Sequence, residues 1–174
     1  MTVATLNIPP GIPSDGTVRV DFVPAAGFAD YTAPTAAEVI GATAQHITCH
    51  IFPVAPTGTV QRNTKRRMCS KQAYEILGAT EYTVDDIQYV YDVQNPETYT
   101  HEAYAALVPG TEGYLVFRWG MDVGIEPAAA QVVDVFPVRL GPQNKMPPAE
   151  NDELMTSQPV AIIGDVASDV ALGA

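Results

Sequence analysis

Along residues 83–94, "TVDDIQYVYDVQ", apolar and polar side chains alternate. Ile87, Tyr89, Tyr91 and Val93 fall on one face of an extended strand, and Asp86, Gln88, Val90 and Asp92 on the other. The same period of two runs through "TVRVDFVP", which directs Val18, Val20 and Phe22 inward against Arg19 and Asp21. "HITCHIF", "GYLVFRWG", "VVDVFPVRL" and "ELMTSQPVAII" are rich in β-branched and aromatic residues and bounded by Gly, Pro and Asn, so they read as further strands. A helix is expected at residues 96–107. Asn95 suits its N-cap, Pro96 its first turn and Glu97 its positive dipole end, and "PG" closes it. Tyr104, Leu107 and Val108 are spaced to cover a sheet.

The chain is therefore expected to be mainly β, with one flanking α-helix. At 174 residues it suits one domain that buries roughly 70% of its unfolded surface. The pattern divides it into a Pro-rich N-terminal arm (1–16), a single β domain (17–165) with a long projecting loop around 53–82, and a C-terminal tail (166–174). No apolar run approaches the ~18 residues of a membrane span, so no membrane partner is expected. The first sixteen residues lack the basic and apolar segments of a secretory or transit signal, which points to a cytoplasmic setting.

A formal net charge of −11 opposes binding to a nucleic-acid backbone, which requires Lys and Arg to displace counterions. Five of the nine cations, Arg62, Lys65, Arg66, Arg67 and Lys71, fall in one stretch free of acids. They form a solvated loop or an electrostatic contact with the acidic surface of another copy. Two cysteines are too few for a disulfide framework. "HITCH" offers His46, Cys49 and His50 at ligand-like spacing, with Cys69 as a fourth zinc donor. An extended backbone would separate them, however, placing His46 and His50 on one face and Cys49 on the other, so the reading is a strand with a buried cysteine and no metal. Glu150, Asp152 and Glu153 read as an exposed turn rather than a cation site. No phosphate loop, nucleophile elbow or metalloprotease helix signature is present, so neither catalysis nor a cofactor is expected.

Three segments in order carry a family resemblance: "YTAPTAAEVIGATAQHITCHI", then the capped helix leading into "EGYLVFRWG", then "VVDVFPVRLGPQNKMPPAENDELMTSQPVAI". Between about Tyr31 and Ile163 the chain resembles the major tail protein, the tail tube subunit, of long-tailed, siphovirus-type phages of actinobacteria. The basic "NTKRRMCSK" stretch departs from that pattern. The resemblance implies a β-sandwich with a flanking helix, hexameric rings whose inner strands join into one barrel, and rings stacked into a tube. In the virion, after assembly in the host bacterial cytoplasm, such a tube houses the tape measure protein. It meets tail terminator and distal tail or baseplate proteins at its ends and conducts the genome into the host. In that setting Asp86, Gln88 and Asp92 are candidates for the lumen, where a negative wall repels DNA in transit. Arg62, Lys65, Arg66, Arg67 and Lys71 are candidates for contacts between subunits or rings. The alternative reading is a β-sandwich binding module on a virion or cell surface.

Overall fold

The computed structural model describes residues 10–96 and 99–174. In chain order it contains β1 (Val18–Pro24), α1 (Ala36–Val39), β2 (Gln45–His46), β3 (Pro56–Lys65), β4 (Tyr74–Val84), β5 (Ile87–Val90) and α2 (Glu102–Ala106). Then follow β6 (Glu112–Trp119), β7 (Val132–Leu140), β8 (Asn144–Lys145), β9 (Met155–Gln158), β10 (Val160–Ile162) and β11 (Ala167–Ala171). The chain is mainly β, as its patterning predicts.

The largest sheet runs β10-β7-β6-β1-β2, with β11 sharing the edge of β7 that β10 uses. Both of its faces are covered. On one face Val20, Phe22, Leu115, Phe117, Phe136 and Val138 pack against Ile87 and Tyr89 of the three-stranded sheet β5-β9-β8 and against Ala103 and Leu107. On the other, Val23, Val116, Val133 and Val135 pack with Phe28, Val39 and Leu172. This second layer corrects the expectation for β1. Arg19 and Asp21 do not face water; they are 7% and 2% exposed, and the Arg19 guanidinium donates to the Asp21 carboxylate at 2.8 Å. Burying two charges side by side is tolerable because each neutralises the other.

Several boundaries differ from the linear reading. Residues 166–174, expected as a tail, contain β11, which pairs with β7, and Leu172, a core residue. "ELMTSQPVAII" is two strands in different sheets. Pro159, which lacks an amide proton, separates β9 from β10. The expected loop around 53–82 is largely the antiparallel hairpin β3–β4. The expected helix is realised as a 3-10 turn at Tyr99–His101 followed by the short α2. Glu97, assigned to the helix dipole, lies outside the described residues, as do residues 1–9 of the arm. Leu107 is buried against the sheet, whereas Val108 is exposed.

Candidate assembly surface

β3 and β4 pair from Pro56↔Val84 at the root to Lys65↔Tyr74 at the end, with a register shift between Val60 and Arg62. Near the root the Tyr82 ring lies over Gly58, where a Cβ would come within 2.9 Å of the ring, and meets Phe136 edge-on at 6.4 Å. A side chain at residue 58 would displace the ring from that contact. Beyond the root nothing among the described residues covers the hairpin: every residue from 57 to 83 except Ser70 is exposed. Among the described residues neither strand pairs with any strand but its mate. Its exposed side chains include Val60, Met68, Tyr74, Ile76 and Leu77, the last at 68% exposure. A two-stranded ribbon with no covered face is marginally stable in water, and bare apolar side chains mark contact surfaces.

The five cations of the basic stretch all sit on this hairpin and its connecting turn, opposed within residues 56–84 only by Glu75 and Glu81, a net charge of +3. The remainder of the chain therefore carries −14. Arg62 lies 3.7 Å from Glu75 across the hairpin, with both side chains more than half exposed, so the pair does little for stability and leaves the arm basic.

At the hairpin root the two chain directions stay paired. Ile51 bridges Tyr89 and the Phe52 amide donates to the Gln88 carbonyl at 2.8 Å, in register with Pro56↔Val84. The segment 51–55 forms one wall of an open groove of about 430 Å³; Val18, Val20 and Trp119 line it with Ile51, Phe52 and Val54, and Asp15 is also in its lining. Sequence reasoning missed this groove, because "FPVAP" has neither strand nor helix period and its partners lie far away in the chain.

Two of the three acidic-strand candidates come together. Asp86 is exposed and accepts a hydrogen bond from the Ser157 hydroxyl at 3.2 Å, and Gln88, half-buried, pairs with Ser157 in the ladder. Asp92 does not belong to that strand face. β5 ends at Val90, and the Asp92 carboxylate instead accepts from the amides of Gln94 (3.0 Å) and Asn95 (3.1 Å), holding a turn. Tyr91 is accordingly only half-buried and Val93 is exposed, although alternation places both in the core.

"HITCH" is not a continuous strand. β2 stops at His46 and a 3-10 turn takes Thr48–His50, because the Thr48 hydroxyl both accepts from the Val20 amide (2.7 Å) and donates to its carbonyl (3.0 Å). A side chain thereby replaces the backbone ladder. Cys49 is exposed rather than buried, and His50 is buried under Tyr99, its Nε2 3.3 Å from Glu102. Burial, and then the neighbouring Arg19, hold the His46 imidazole below its ordinary value. Among the described residues no group of three or more His, Cys, Asp and Glu side chains is placed to hold a metal ion. Glu150, Asp152 and Glu153 are exposed in a turn where Asn151 takes a positive φ.

A family model described as phage tail tube protein matches residues 5–174. Among solved structures the chain is similar to one titled as the cryo-EM structure of the anti-feeding prophage baseplate, 6-fold symmetrised, at 9% identity, covering 97% of this chain and 98% of that one with a TM-score of 0.48. No curated protein matches it.

Proposed function

This chain belongs to the phage tail tube protein family, and from that membership we propose that it is the subunit of a tube built from stacked hexameric rings that conducts the phage genome. One observation carries the reading: a basic, apolar-studded hairpin stands uncovered from residue 57 to 83 on an otherwise acidic body. A free monomer leaves that ribbon unsupported, whereas a ring supplies each copy with a neighbour to pack and pair against. In this reading the hairpin cations Arg62, Lys65, Arg66, Arg67 and Lys71 face acidic surface on adjacent subunits or rings. Asp86 and Gln88, with Asp92 beyond them, contribute to a negative channel wall. The tape measure protein occupies the lumen, terminator and distal tail proteins occupy the ends, and the host bacterial cytoplasm is the site of assembly.

The test is electron microscopy of purified protein over rising concentration, alone and with tail initiator proteins. Rings or tubes are expected from the full chain. A variant in which Asn-Gly replaces residues 57–83, a tight turn suited to joining Pro56 and Val84, is expected to remain monomeric while keeping a cooperative unfolding transition. Tubes assembled by that variant would refute the role of the hairpin. Discrete monomers of the full chain, even with initiator proteins present, would refute the tube reading.

A further inference from the structure

We infer that the groove at the root of the hairpin is the receptor for the end of the hairpin of a second copy, so that subunits join tip to root around a ring. The inference rests on the assembly reading above and names the two surfaces that meet.

Three observations fit one occupant. The first is shape and chemistry. The groove presents Val18, Ile51, Phe52, Val54 and Trp119, and the outer hairpin presents Met68, Tyr74, Ile76 and Leu77, all four exposed; each surface is apolar and lacks a cover among the described residues. The second is charge. No lysine or arginine lines the groove and Asp15 does, and extending the register shared by the Ile51↔Tyr89 bridge and the Pro56↔Val84 pair sets the exposed Asp85 level with Ala55, a lining residue. The hairpin end carries Arg62, Lys65, Arg66, Arg67 and Lys71 against Glu75 alone. Complementary charges of this kind guide encounter and fix register. The third is reach. The groove adjoins the root of its own hairpin, and the ten residues of β3 carry the tip about 30 Å away from it. An extended ribbon does not fold back over that distance onto its own root, so a hairpin tip seated in the groove comes from another copy. A contact that uses two different patches is head-to-tail, the kind that closes into a ring when the rotation between copies is a whole fraction of a turn.

Cys69 in the hairpin turn makes the contact testable. In a Cys49→Ser background, Ala55→Cys places one thiol in the groove, and a short bismaleimide is applied to assembled tubes. A ladder of covalent multimers linking residue 55 to Cys69 is expected, and it should vanish when Cys69→Ser is added. In parallel, Arg66→Glu with Arg67→Glu, and separately Asp15→Lys with Asp85→Lys, should each raise the concentration needed for assembly by about tenfold, and all four together should restore most of the loss. Tubes that form normally yet give no such ladder, or a ladder that survives without Cys69, overturn the tip-to-root contact and leave the tube reading standing. Wild-type protein that never associates, with or without initiator proteins, overturns both.

Discussion

The Tyr89 hydroxyl donates to the Gln158 side-chain carbonyl at 2.8 Å, where both residues are inaccessible to solvent, and so ties β5 to β9 inside the core. The Gln158 amide group in turn donates to the carbonyls of Leu107 (3.1 Å) and Gly141 (2.9 Å), joining the end of α2 and the exit of β7 to the same point. Gln158→Leu removes these partners from the Tyr89 hydroxyl and the Gly141 carbonyl, whereas Leu107 keeps a bond from Gln143 at 3.0 Å. Stability should fall by about 2–4 kcal/mol in a denaturant titration. Adding Tyr89→Phe should recover part of that loss by deleting a buried hydroxyl left with Gln143 as its side-chain partner; a double variant less stable than the sum of the singles would contradict this network.

Burial pushes the Tyr89 phenol up to about 12 from an ordinary 10.0. Because the folded state favours the neutral form, this contribution is complete below pH 10.0 and is lost as pH rises toward about 12. The denaturation midpoint, followed by Trp119 fluorescence, should drop across that window. The drop should be shallower in Tyr89→Phe, and equal slopes in the two proteins would show that other groups govern alkaline unfolding.

The buried Arg19–Asp21 pair should behave asymmetrically. Asp21→Ala leaves a guanidinium enclosed without its counter-charge and should destabilise by roughly 3–5 kcal/mol. Replacing both residues with apolar ones of similar volume, Arg19→Met with Asp21→Leu, should restore most of it. Equal losses in the single and double variants, measured by chemical unfolding, would mean that shape rather than charge sets the requirement.

Gly113 in β6 faces Phe22. A Cβ built there would lie 2.7 Å from the Val23 carbonyl oxygen and 2.7 Å from the Phe22 ring. Since a backbone atom cannot rotate away, Gly113→Ala should cost about 1–3 kcal/mol. Gly11→Ala, whose added Cβ would meet no atom of the described residues within 4 Å apart from its chain neighbours, should change the unfolding midpoint little. Similar midpoints for the two variants would remove the steric argument.

For the proposed channel wall, Asp86→Lys is the cleaner probe, because Asp92 also holds the turn at residues 94–95. Phage carrying Asp86→Lys should build tails of normal length and eject DNA more slowly, since a cation on the wall attracts the phosphates. Ejection at wild-type speed from normal tails would remove Asp86 from the channel.

By itself the sequence determined the mainly β class, the strand segments that form β6 and β7, the shared face of Ile87 and Tyr89, and the unequal division of charge. These follow from side-chain period and composition, which are local properties. Tertiary structure alone decided the rest. β1 alternates like a half-exposed strand, yet Arg19 and Asp21 are buried, because an ion pair makes a polar face compatible with a second packed layer. "HITCH" has strand-like composition but turns, because Thr48 meets the backbone of Val20, 28 residues earlier. Residues 166–174 read as a tail because their apolar residues follow no strand alternation, and β11 acquires its place only from the open edge of β7. The groove and the hairpin end are likewise invisible in one dimension. Each is defined by residues distant in the chain, and what an exposed ribbon packs against is settled by other surfaces rather than by its own sequence.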